Sequence, residues 1–210
     1  MTNDNLIVRF SMSSEIKESE AIARLAIMEA QLQQMTQMLS NLSARLARSE
    51  DNFLLVADVY RYKKLQELLS AGNFHAADWE TIRLIQAVTG ELELESITPE
   101  QIRSFPCNEL QVIDNLWRKY SNGRFGFSIQ TQIYQSIGGS IETTINQDYQ
   151  IIESFGDRVG WRSNRKWLKC DDLDYTLTAP IGCHPSRWWN SPFGAKMTNY
   201  FFNRLITCQL

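Results

Sequence analysis

Leucine and methionine recur three and four residues apart at Leu25, Met28, Leu32, Met35, Leu39, Leu42 and Leu46. That spacing is a heptad seam, and no Gly or Pro interrupts the chain around it, so it predicts one long helix over 15–50 with a coiled-coil stripe. The flanking positions, Glu29, Gln31, Thr36, Met38, Ser43 and Arg45, carry little charge with which to select a partner or a strand number. A zipper that reads DNA needs a basic segment immediately upstream. Residues 11–24 offer only Lys17 and Arg24 among several glutamates. Self-association through residues 25–46 is therefore the expectation, and folding back onto the same chain is the alternative.

From Asn52 the pattern changes. A helix is predicted over Leu54–Ser70, with Leu65, Leu68 and Leu69 on one face and Gly72 at its end, and a second over Ala76–Thr89, ended by Gly90. The short link makes them an antiparallel pair. An acidic connector, 91–97, leads to Thr98-Pro99-Glu100-Gln101, where Thr98 can cap, Pro99 suits the first helical turn and Gln101 can reach back. Leu110, Ile113, Leu116 and Trp117 mark the apolar face of another helix, stopped by Ser121-Asn122-Gly123. Ser128 is the expected cap of the next, which carries Ile129, Ile133, Tyr134 and Ile137 and stops at Gly138-Gly139. Residues 140–148 read as a mobile polar loop, and beyond 155 the pattern is irregular and aromatic. Alternating strands with hairpin turns are not predicted, so the fold class is all-α. The expected organisation is a flexible start (1–14), a coiled-coil helix (15–51) and a helical domain (52–210).

Composition narrows the function classes. With 43% hydrophobic and 21% charged residues among 210, most of the chain can fold. A net charge of −3 argues against a nucleic-acid binder. Apolar runs such as Phe53–Ala57 are too short to cross a bilayer, and neither a signal nor a transit pattern is visible at the start. Those readings suit a protein made where it works, in a bacterial cytosol or in an organelle that encodes it. Cys107, Cys170, Cys183 and Cys208 include no C-x-x-C pair, so a disulfide scaffold and structural zinc are not expected and four reduced thiols are.

Four constellations could carry chemistry. Phe125, Phe127, Tyr134, Trp161, Trp167, Trp188 and Trp189 offer flat apolar surface of the kind a planar ligand needs, or simply core. Arg158, Arg162, Arg165, Lys166 and Lys169 are interleaved with Trp161 and Trp167, which suits a flat ligand with carboxylates on one edge, or single-stranded nucleic acid by stacking and phosphate contact. Asp171, Asp172 and Asp174 follow and dilute any phosphate track. Cys183 beside His184 invites a nucleophile or metal reading, but neighbours in sequence are poorly placed as a catalytic pair, and the other histidine is His75. Asp78 and Glu80 near a helix start read as partners for backbone donors rather than as acid and base. No phosphate loop, dinucleotide fingerprint or nucleophile elbow is present.

Several of these segments occur in an order that resembles the Genomes Uncoupled Four family. The similarity runs over roughly residues 60–186: Leu68-Leu69, Phe74-His-Ala-Ala-Asp78-Trp-Glu-Thr81, Phe105-Pro106, Leu110, Ile113-Asp114, Leu116-Trp117, the stretch Ser121–Gln130, Val159-Gly160-Trp161, Trp167 and Ala179-Pro180-x-Gly182. The resemblance implies a cupped, all-helical domain that is not an enzyme. It would bind protoporphyrin IX or its magnesium complex without a covalent cofactor. It would also stimulate magnesium chelatase and associate with that enzyme's large porphyrin-binding subunit. Phe125, Phe127, Tyr134 and Trp167 would bury the macrocycle's faces, with Phe74, Ile102 and Gln130 carried over beside them. His184, Pro185 and Arg187 would form a loop wall, and Arg187, with Arg165 or Lys166, would pair with propionates. The chain departs from the family in Gly182-Cys-His-Pro185, where the family usually has Gly-His-Leu-Pro, and in Lys169, where it often has a second Trp. The resemblance further implies a cyanobacterial cytoplasm or a plastid stroma, with peripheral contact to thylakoid or envelope membrane. The competing reading is a coiled-coil adaptor whose domain binds a linear bilin or no tetrapyrrole.

Overall fold

The computed structural model describes residues 24–25, 28–43 and 60–210. The flexible start expected over 1–14, Leu46 of the seam and the onset of the helix expected from Leu54 lie outside the described residues. The chain divides into two compact units, Met1–Asp58 and Val59–Leu210. In the first, residues 28–43 are helical. The described seam residues Leu25, Met28, Leu32, Met35, Leu39 and Leu42 are all more than half exposed.

The second unit starts with α1, residues 60–70, whose Leu65 and Leu69 are fully buried. Gly72, at φ +71°, turns the chain. Asn73 then caps α2 (Phe74–Thr89) by accepting from the Ala76 amide at 3.1 Å, so this helix begins two residues before the expected Ala76. Gly90, left-handed at φ +78°, ends it as anticipated. The capping box is present at α3 (Pro99–Arg103): Thr98 Oγ1 accepts from the Gln101 amide at 3.3 Å, and Gln101 Oε1 accepts from the Thr98 amide at 2.8 Å. α4 (Cys107–Tyr120) leads into the turn at Ser121.

α5 (Phe127–Ser136) corrects the expected cap. Gly126, at φ +137°, holds the cap position, and Asp114 from α4 supplies the missing acceptor. Its Oδ1 receives the Ser128 amide at 2.8 Å and the Ser128 hydroxyl at 3.1 Å. A Cβ at residue 126 would stand 2.6 Å from that same oxygen, which is why the position is glycine. The stretch expected to be a mobile loop, 140–148, folds into α6 (Ile141–Ile145) behind a Ser140–Thr143 capping box. Its Thr144 is buried and accepts a hydrogen bond from Asn203 Nδ2 at 2.9 Å.

α7 (Tyr149–Val159) is followed by a two-stranded antiparallel ribbon, β1 (Arg162–Ser163) and β2 (Lys166–Trp167). These two-residue strands are set in a fold that is otherwise helical, as expected for the all-α class. The ribbon's two-residue turn is Asn164-Arg165, both at positive φ (+52° and +63°), a primed turn that matches strand twist. An irregular stretch runs to α8 (Ala195–Thr207). The aromatic tail therefore docks as a helix on its own unit: Phe201 and Phe202 are buried, and α8 packs against α3 and α6. Tyr134 stacks on Phe202 with centroids 4.0 Å apart, and Trp188 on Phe201 at 4.1 Å.

The cysteines also correct the expectation of four free thiols. Cys107, at the start of α4, and Cys208, at the end of α8, form a disulfide across a sequence separation of 101. Cys170 and Cys183 are free and buried.

Candidate functional site

α7, the ribbon and the start of α8 line an open cavity of about 690 Å³. α7 contributes Tyr149, Ile152 and Phe155, and the ribbon with the residues around it contributes Trp161, Trp167, Leu168 and Lys169. The opposite side is closed by Arg187, Trp189 and the first turns of α8, with Cys170 and Asp171 on the intervening turn. The volume lies within the range of small-molecule sites.

Three indoles make the wall. Trp161 stacks on Trp189 with centroids 5.6 Å apart at 18°, and Trp167 meets Trp189 at 5.0 Å and 37°. Trp161 is fixed by donating from Nε1 to the Cys183 carbonyl at 2.7 Å. Trp167 lies across α7 where Gly156 leaves room; a Cβ there would come within 2.5 Å of its ring. The Arg162 guanidinium sits 5.4 Å from the Trp167 ring centroid and donates to Glu153 at 2.5 Å and Asp157 at 2.9 Å, so it braces the wall rather than facing a ligand.

Arg187 is the buried cation of the site. It stacks over Trp79 at 3.8 Å and donates to Asp171 Oδ1, and its Nε is 3.9 Å from Asp78 Oδ2. Its backbone amide donates to Asp78 Oδ1 at 3.3 Å. The Asp171 carboxyl is held below the usual carboxylate range by hydrogen bonding from Arg187, then from His75. Lys169 is an exposed cation on the rim and has no salt bridge among the described residues.

Sequence reasoning missed the role of Asp78. This fully buried carboxylate accepts from the Ser186 amide at 2.8 Å, the Ser186 hydroxyl at 2.6 Å and the Tyr175 hydroxyl at 3.0 Å. It thereby anchors the loop that carries Arg187 to α2. Glu80 instead pairs with Arg83. The Asp78/Glu80 pair thus splits into an anchor and an ion pair. The signal available in advance was the Ala77-Asp78-x-x-Thr81 segment.

Of the residues expected to touch a ligand, Trp167 and Arg187 line the cavity. Phe125, Phe127 and Tyr134 are fully buried in the core behind it. Phe74 packs edge-on to Phe125 at 5.5 Å, and Ile102 is buried among the apolar side chains of α2 and α8. Gln130 donates to the Gly182 and Pro185 carbonyls at 3.0 and 2.8 Å and so holds the loop from within. His184 stacks on Tyr175 at 4.3 Å with Nε2 2.8 Å from the Asp174 carbonyl, and burial lowers its pKa. The Gly126 amide donates to the His184 carbonyl at 2.9 Å and the Gly182 amide to the Arg124 carbonyl at 2.8 Å, which zips the two glycine loops face to face. Arg165 and Lys166 sit exposed at the ribbon turn, outside the cavity lining.

The thiols do not suit nucleophilic chemistry: burial pushes Cys170 and Cys183 up to about 12. Among the described residues no group of three or more His, Cys, Asp and Glu side chains could hold a metal ion. No helix among them is long and apolar enough to cross a membrane.

A family model described as GUN4-like matches residues 56–203. Among relatives, the chain is 37% identical over 75 residues to the "Tetrapyrrole-binding protein, chloroplastic" of Arabidopsis thaliana, covering 35% of this chain and 28% of that protein. It is 30% identical over 129 residues to "Uncharacterized protein ycf53" of Porphyra purpurea, covering 59% of this chain and 49% of the relative. The Ycf53-like protein of Synechocystis is 28% identical over 127 residues, covering 59% and 50%. The chain thus spans half or less of the length of these relatives. The ligand-free structure of Arabidopsis thaliana GUN4 superposes with a TM-score of 0.51 at 25% identity, covering 67% of this chain and 91% of that one. GUN4 from Chlamydomonas reinhardtii gives 0.50 at 22% identity, covering 67% and 86%, which speaks to the fold alone. With the family match running through the helices, the ribbon and the loop of Arg187, the chain belongs to the GUN4-like family.

Proposed function

We propose that this chain is a non-enzymatic tetrapyrrole carrier that takes protoporphyrin IX or its magnesium complex and stimulates magnesium chelatase through that enzyme's large porphyrin-binding subunit. The observation that carries the reading is the cavity of about 690 Å³ walled by Trp161, Trp167 and Trp189, with Lys169 and Arg187 at its edge. A porphyrin is flat, apolar on both faces and acidic at two propionates. Indole faces match the first property and edge cations the second. The expected floor of Phe125, Phe127 and Tyr134 becomes the rigid backing of this wall, and His184 is too deeply packed to serve as an axial ligand. Relatives named as chloroplastic, as ycf53 and from Synechocystis support a plastid stroma or a cyanobacterial cytoplasm, with any thylakoid or envelope contact peripheral.

The test is a chelatase assay at limiting porphyrin with and without this chain. A higher rate of magnesium insertion at equimolar chain supports the proposal, and an unchanged rate at every ratio contradicts it. A second reading, an adaptor acting through its first unit while its domain binds a linear bilin or nothing, draws support from the exposed stripe Leu25–Leu42. Porphyrin binding without any change of assembly would remove it.

A further inference from the structure

Arg187 has two carboxylate partners of opposite character. Asp78 is fully buried and tied into the fold by Ser186 and Tyr175. Asp171 has a side chain 65% exposed and stands on the cavity lining beside Arg187, whose own side chain is only 6% exposed. Apart from Arg187, the Asp171 carboxylate meets only His75 among the described residues, with Nε2 3.2 Å away, and that nitrogen also lies 3.2 Å from the Arg187 guanidinium. The outward guanidinium edge of Arg187 is thus filled by a removable carboxylate, on the surface where an acidic ligand's carboxylate would arrive.

We propose that Asp171 is a specificity-determining residue, an internal carboxylate that neutralises Arg187 when the ligand brings none and yields its place when the ligand brings one. The inference rests on the carrier reading above. Asp171 and a ligand carboxylate present the same group to the Arg187 edge, so exchanging one for the other changes the free energy little. Leaving a buried guanidinium edge unpaired is costly. With Asp171 in place, Arg187 therefore discriminates little between acidic and esterified macrocycle edges. Without that charge, it favours the acid. Lys169 is unchanged in either case, so its effect cancels in the comparison.

The test is tryptophan quenching of the full chain and of Asp171→Asn, titrated with deuteroporphyrin IX and with its dimethyl ester. The ratio of ester Kd to acid Kd should rise about three- to tenfold in the variant, chiefly by tighter acid binding. A merely structural role would shift both ligands together. An unchanged ratio, or weaker acid binding in the variant, overturns the inference while the carrier reading stands. If the unsubstituted chain is quenched by neither compound, the carrier reading itself fails and this inference falls with it.

Discussion

At the scale of single residues, the site is held by groups that never touch its lumen. Gly156 is the clearest case, because its missing Cβ is the space Trp167 occupies. Gly156→Ala gains helix propensity of roughly 1 kcal/mol but pushes the indole off α7, so porphyrin affinity should fall at least severalfold in a fluorescence titration; unchanged affinity would show that Trp167 is not part of the wall. His184 gives a pH signature. Burial lowers its pKa, so below about pH 6.5 the unfolded chain takes up a proton that the folded chain refuses. Its contribution to stability is fully present above that pH and declines as pH falls, with a limiting slope of about 1.4 kcal/mol per unit. Urea unfolding between pH 7.5 and 5.5, above the ordinary carboxylate range, should show the decline, and His184→Gln should flatten it. An equal slope in both proteins would assign the effect elsewhere. Residue roles were the least legible part of the sequence. Phe125 and Trp167 are both aromatic, yet one is buried in the core and the other lines the cavity, a difference that depends on contacts between segments distant in sequence.

At the scale of elements, punctuation was legible and partnership was not. Gly72, Gly90, Thr98 and Ser121 end or start helices as their local chemistry requires, since turns and caps depend on a few adjacent residues. The cap of α5 comes from Asp114 on another helix, and the disulfide joins residues 101 apart, so no local spacing announces either. That disulfide should matter. Closing a loop of about 100 residues restricts the unfolded chain by up to ~4–5 kcal/mol on entropy alone. Cys107→Ser should lower the midpoint of thermal unfolding by several degrees or more, and reductant should do the same to the unsubstituted chain but not to the variant. Identical melting of all three samples would contradict the pairing. In the first unit, the exposed stripe from Leu25 to Leu42 is the kind of surface that a second copy covers. Light scattering should give a multiple of the chain mass for the full chain and a single mass for residues 52–210; a monomer in both would contradict self-association.

At the scale of the whole molecule, the second unit reads as a rigid aromatic core with one indole-walled cavity on its flank. Stacks such as Tyr134 on Phe202 and Trp188 on Phe201 tie α8 to the middle of the fold. The cavity is consequently built on helices and a ribbon rather than on a single loop. The helical class was readable from periodicity, whereas the cavity's position was not, because it arises where α7, the ribbon and α8 meet. The central claim is that this wall holds a porphyrin, and its most direct test is quenching of intrinsic fluorescence by deuteroporphyrin IX in the full chain and in Trp167→Ala. The account predicts saturable quenching at micromolar porphyrin, weakened in the variant by about 1–2 kcal/mol, or roughly five- to thirtyfold. Absence of quenching in the full chain, or equal affinity in the variant, would contradict it.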